Sequence, residues 1–272
     1  MADQIQGGVR AAVAHDSARK HVSGTALYID DLPEPLGMLH AAVGLSTRPH
    51  AEIRGLDLGP VRAAPGVIAV LTAADIPGAN EVGPVYPGDP LLADRRVEYA
   101  GQALFVVAAA TVEQARRAAR MAEVEDRPLE PLITVEQGLA QQAFVLPEHR
   151  MQRGDAAVAL AKAPHRRSGR LLIGGQDHFY LEGQIALAIP GEDGDLLVHS
   201  STQHPSEVQH LVAKLLGRSY NTVTVEVRRM GGGFGGKESQ ASAIACMAAL
   251  LADRTKRPVK LRLDRDDDMV LT

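Results

Sequence analysis

The segment MGGGFGGKE at 230–238 constrains the fold most, because five glycines crowd around Phe234 between positions 231 and 236. Glycine is required where φ must be positive or where another group must approach the main chain closely. Before this segment, NTVTVEVRRM alternates, with Val223, Val225 and Val227 on one face, and predicts a strand. After it, ASAIACMAALLADR is almost wholly apolar and predicts a buried helix. A strand-to-helix turn of this kind leaves N–H groups unpaired at the dipole-positive end of a helix, which suits phosphate or oxo groups. Five glycines could also serve a turn that only needs tight packing.

Two nucleotide motifs nearly fit the same residues. Gly231, Gly233 and Gly236 satisfy GxGxxG, and the later strand VKLRLD ends in Asp264. That acid comes later than the spacing of about 20 a dinucleotide fold uses, and the turn lies deep in the chain instead of opening a βαβ array. GGGFGGKE also approaches GxxxxGK[ST], but Glu238 occupies the position of the magnesium-binding hydroxyl. Neither motif is completed.

Elsewhere the pattern alternates. MLHAAVGLS (38–46), VIAVLTA (67–73) and ALFVVAAA (103–110) read as buried strands. TVEQARRAARMAEVE (111–125) reads as a helix opened by a Thr111/Gln114 capping box, with Val112, Ala115, Ala119 and Ala122 as its apolar stripe. DRPLEPLITVEQGL (126–139) reads as a strand and a short helix, and the pattern then weakens, so a domain boundary is set near 145. From 171, a long strand through GGQDHFYLEGQIALAIP, the turn GEDGD and LLVHSSTQ predict a hairpin. PSEVQHLVAKLLG is a helix with Pro205 in its first turn, Gly217 as its stop, and Val208, Leu211, Val212 and Leu215 facing the core. RPVKLRLDRDDDMVLT begins another strand. The fold class expected is α+β.

A formal charge of −4 and 3% aromatic residues argue against nucleic-acid binding. Cys246 is the only cysteine, so this chain cannot house an iron–sulfur cluster, and its apolar helix makes it a packing thiol. The opening MADQIQGGVRAAVAHDSARK has no apolar run of signal-peptide length, and ALFVVAAA is too short to span a bilayer, so a cytoplasmic, membrane-free protein is expected.

Among single residues, Gln203 can either cap helix 205–216 or donate its amide N–H to an anion there. Glu238, expected in the first turn of the helix after the glycines, is either a dipole-compensating acid or a carboxylate at the rim of a site. GGQDHFYLEG (174–183) reads as a supporting strand with Gln176, His178 and Tyr180 on one face and Asp177, Phe179 and Leu181 on the other. No paired cluster supports zinc, and HExxH and GxSxG are absent.

Four blocks together resemble the molybdenum-hydroxylase family, on its xanthine dehydrogenase branch. They are HDSARKHVSGTALYIDDLP (15–33), GGQDHFYLEG (174–183), SSTQHPSEVQHLVAKLLG (200–217) and RRMGGGFGGKESQA (228–241), in the family's order and spacing. The resemblance implies an α/β-hammerhead domain over 1–145 and the first part of a molybdopterin-binding domain over 146–272. It implies hydroxylation of a heteroaromatic carbon with oxygen from water, at a molybdenum held by the pterin dithiolene and not by side chains. Gln203 would then hydrogen-bond an oxygen ligand of the metal, and Gly233, Phe234 and Gly235 would pack beside it. Glu238 matches a substrate-binding glutamate of the purine branch, so xanthine or hypoxanthine is the implied substrate. An aldehyde or another N-heterocycle, or a non-catalytic scaffold, are the alternatives. The resemblance also implies a small partner subunit carrying FAD and [2Fe–2S] clusters, in a dimer of heterodimers. The family's later FRG block and general-base glutamate do not occur, so no catalytic residue is assigned in this chain, which is expected to be an inactive fragment by itself.

Overall fold

The computed structural model describes residue 8 and residues 10–272; residues 1–7 and 9, part of the segment read above for a leader, lie outside the described residues. Ten strands follow in chain order: β1 (Leu39–Leu45), β2 (Ala51–Asp57), β3 (Val67–Thr72), β4 (Arg96–Val97), β5 (Ala103–Ala109), β6 (Glu123–Pro128), β7 (Ile185–Pro190), β8 (Leu196–Ser200), β9 (Val223–Glu226) and β10 (Val259–Arg262). Seven form one sheet in the order β3-β5-β1-β10-β7-β8-β9, and a smaller sheet runs β4-β2-β6.

The large sheet is joined at its middle by strands far apart in sequence. β1 and β10 run parallel with Leu39 opposite Val259 and Ala41 opposite Leu261. β5 pairs antiparallel with β1, and all seven of its residues are buried, as a continuous apolar run between two neighbours predicts. The predicted hairpin forms with Pro190 opposite Leu196. Helix Gln240–Thr255 packs its apolar length, including Ile244, Met247 and Leu251, against the sheet beside helix Pro205–Leu216. The latter buries Val208, Leu211, Val212 and Leu215 and ends at Gly217, in the left-handed conformation at φ 62°. Cys246 is fully buried among these side chains.

Three expectations are corrected. The helix after β5 spans only Val112–Ala119, and the predicted continuation MAEVE is largely β6, which gains more by pairing with β2. Thr111 caps that helix through the Gln114 N–H at 3.2 Å. Residues 174–183 are not a strand, because Phe179 adopts φ 49° and breaks the pleat. The last residues also contain a helix, Arg265–Leu271, capped by Asp264 accepting from Asp267 N at 2.8 Å.

Packing divides the described residues into two units, those up to 128 with 178–272 and those of 129–177. The second unit has two short helices, Val135–Ala140 and Ala156–Lys162. Thr134 and Gln137 form a reciprocal capping box on the first, and Asp155 caps the second at 2.9 Å. None of the residues 129–177 is buried. No helix among the described residues is long and apolar enough to cross a membrane.

Candidate molybdenum-cofactor site

β8 ends at Ser200, and the chain passes through buried Ser201 and Thr202 to exposed Gln203 before helix Pro205–Leu216 begins. This turn lies against the glycine segment. Gln203 N donates to Lys237 O at 2.8 Å, and Thr202 Oγ1 donates to the same carbonyl at 3.2 Å. In return, the Gln203 side-chain oxygen Oε1 accepts from Gly235 N at 2.8 Å and Lys237 N at 3.3 Å. The helix is capped by His204 without a side-chain bond, so the capping role open to Gln203 is not the one it takes. Its Nε2 has no partner among the described residues.

The glycines are explained mostly by the turn itself. A Cβ on Gly231 would lie 2.4 Å from Glu182 Cβ, one on Gly233 2.6 Å from Gln203 Oε1, and one on Gly236 2.7 Å from Tyr180 Cε1. Gly232 and Gly235 need φ near 100°. Helix Gln240–Thr255 begins after an Ser239 cap, with no acid in its first turn. Glu238 therefore lies before the helix and not inside its first turn, because the turn consumes its own N–H groups: Gly236 N donates to Gly233 O at 2.8 Å and Glu238 N to Gly235 O at 3.2 Å. The N–H groups of Gly232, Gly233 and Phe234 keep no partner among the described residues. Phe234 is 75% exposed at φ 58°, and the exposed Glu238 carboxylate has no partner among the described residues either.

Behind this face is a polar chamber that pattern reading missed. Lys237 is 0% exposed, and its ammonium donates to Glu182 Oε2 at 3.0 Å and Ser201 Oγ at 2.8 Å. The Nζ also lies 4.8 Å from the centre of the Tyr180 ring. Glu182 Oε2 additionally accepts from Ser201 Oγ and, at 2.8 Å, from Gly231 N. Burial pushes the Lys237 pKa down, and Glu182 opposes that by holding the proton on. Tyr180 donates to buried Asp268 at 2.9 Å, and Gln184 Nε2 bridges Tyr180 Oη at 3.0 Å and Gly236 O at 2.9 Å. Burial, with Asp268 adding to it, raises the Tyr180 pKa. The loop carrying these groups is fixed by Arg265, which donates to Tyr180 O and, at 3.0 Å, to Leu181 O. The available signal was the Lys237–Glu238 pair after the glycines, where the lysine resembled an incomplete phosphate-binding motif.

These features suit an anionic, oxygen-bearing group. An amide fixed through its oxygen offers donors, and so do three successive unpaired N–H groups. No cluster of three or more His, Cys, Asp or Glu among the described residues could hold a metal ion. A metal at this face would therefore have to arrive with its own ligands.

Residues 139–272 match the molybdopterin cofactor-binding domain, and residues 23–130 match the aldehyde oxidase and xanthine dehydrogenase a/b hammerhead domain. Aldehyde oxidase 4 of Cavia porcellus is 40% identical over 96% of this chain and 19% of its own length. Xanthine dehydrogenase/oxidase of Gallus gallus is 36% identical over 98% of this chain and 20% of its own. The aldehyde oxidoreductase from Desulfovibrio gigas superposes with a TM-score of 0.82 at 27% identity, over 94% of this chain and 30% of that one. The chain thus carries the hammerhead and molybdopterin cofactor-binding domains of the aldehyde oxidase and xanthine dehydrogenase family. It spans about a fifth of the length of the curated relatives it matches.

Proposed function

We propose that this chain supplies one wall of the molybdenum–pterin site of a cytoplasmic purine hydroxylase of the xanthine dehydrogenase kind. The observation that carries the reading is the Gln203 carboxamide, whose oxygen is committed to Gly235 and Lys237 while its Nε2 remains available. In this reading Gln203 donates to an oxygen of the cofactor, and Gly233, Phe234 and Gly235 form the surface against which the group rests. When bound, the molybdenum–pterin group supplies the two-electron chemistry that hydroxylates a substrate carbon with oxygen from water.

Glu238 is the residue of this chain that we assign to substrate. An unpaired carboxylate accepts hydrogen bonds from the N–H edges of a purine, which an aldehyde lacks. It would orient the base through these bonds and carry no proton in the reaction. Turnover belongs to the assembled enzyme, with a partner subunit bearing [2Fe–2S] clusters and FAD to take up the electrons, in a dimer of heterodimers. The chain alone would be inactive.

Two measurements test this. Elemental analysis of the assembled protein should find molybdenum, and its absence would reduce the chain to a scaffold. Glu238→Val in the complete enzyme should lower purine kcat/KM at least tenfold while sparing aldehydes. Unchanged purine turnover would remove the assignment and favour the aldehyde branch.

A further inference from the structure

Lys237 occupies an unusual place in this site. Its side chain is wholly buried, and a buried ammonium is strongly disfavoured unless it is paired and hydrogen-bonded. Here Glu182, Ser201 and the face of the Tyr180 ring surround it. An apolar side chain would fill that volume without the desolvation cost, so packing alone does not account for a cation.

Its main chain faces the other way. The Lys237 carbonyl accepts from Gln203 N and Thr202 Oγ1, and its N–H joins that of Gly235 on Gln203 Oε1. The two ends of a carboxamide are nearly the same size, so its orientation depends on the groups it meets. Two N–H donors on Oε1 disfavour the flipped rotamer, which would bring the NH2 group against other donors. The orientation of Gln203 therefore follows from where the backbone of 235–237 sits. That backbone is held from behind at two points, by the Lys237 ammonium on Glu182 and Ser201 and by Gln184 Nε2 on the Gly236 carbonyl.

We propose that Lys237 is the positioning residue of this site: anchored by Glu182 and Ser201, it holds the backbone that presents Gln203 with Nε2, and not Oε1, toward the ligand. Lys237 itself touches no ligand. The proposal rests on the cofactor reading only for the identity of the group that Gln203 faces.

The test is hydrogen exchange of the Gly235 and residue-237 amides in the ¹⁵N-labelled chain, read against the amides of β5, which report opening of the sheet. Lys237→Met should speed the two site amides at least tenfold more than it speeds those of β5. Glu182→Gln should do the same, and the double variant should add nothing to either single one, since one pair is being broken. Should Lys237→Met fail to fold, Glu182→Gln and Ser201→Ala report on the same amides. Acceleration at 235 and 237 no greater than in β5, or additive single effects, would overturn the proposal. Molybdenum content is measured separately on the unaltered protein. If none is found while the exchange result holds, the clamp stands and the cofactor reading falls; the reverse pair of results removes the clamp alone.

Discussion

Helix Gln240–Thr255 and the turn just before it are held by opposite means. The helix sinks Ile244, Met247 and Leu251 into a contiguous apolar cluster in which the attraction is non-directional and scales with area. Three residues before the helix starts, Lys237 is equally buried, yet its neighbours are a carboxylate, a hydroxyl and an aromatic face. Apolar packing tolerates graded change, because each lost methylene removes its own share. A buried polar network does not, because losing one member leaves another without a partner. A site that must keep one amide in one orientation gains from the second kind of interior.

The largest effect should come from breaking that network. Lys237→Met leaves the Glu182 carboxylate, 16% exposed, without its cation, and should cost about 3–5 kcal/mol in urea denaturation. Adding Glu182→Leu should recover part of this, because replacing both charges removes the desolvation penalty along with the attraction, while Ser201 Oγ and Gly231 N lose their acceptor. A double variant no more stable than Lys237→Met would mean that the chamber is held by something other than the pair.

The apolar side of the comparison should respond by degrees. Leu251 is 0% exposed, so Leu251→Ala should cost about 2–4 kcal/mol, while Leu251→Met, close in volume, should cost less than about 1.5 kcal/mol. Equal losses from the two substitutions would show that this cluster is as intolerant as the polar one.

The same contrast governs what could be read from the sequence. Apolar runs gave β1, β3 and β5 to within a residue or two, and the spacing of Val208, Leu211, Val212 and Leu215 gave a helix face that is buried as expected. Pattern reading works there because burial of a regular element imprints a period on the sequence. The loop 174–183 carries no such imprint: Phe179 at φ 49° sends Tyr180 inward by a backbone bend that alternation cannot anticipate. Gln203 and the glycines were visible as candidates, but Lys237, Glu182 and Asp268 come together across 55 and 88 positions of sequence, as in the Lys237–Glu182 and Tyr180–Asp268 bonds. No local spacing encodes contacts of that range. The glycines also meant something different in each frame. Read alone they suggested room for a ligand, whereas three of them make room for Glu182, Gln203 and Tyr180.

Phe234 gives the smallest expected change in stability and separates the two demands on the turn. Its left-handed backbone costs a non-glycine residue roughly 1–2 kcal/mol, and its ring is 75% exposed, so folding gains little from it. Phe234→Gly should relieve that strain, while the freer glycine adds about 0.4–1 kcal/mol of unfolded-state entropy in opposition. The difference leaves a net stabilisation of between about 0 and 1.6 kcal/mol in urea denaturation. If the ring belongs to the ligand face, the same variant should retain less molybdenum in the assembled protein. A large stability loss would instead show that the ring is part of the fold, and the strain at 234 would then need no ligand to explain it.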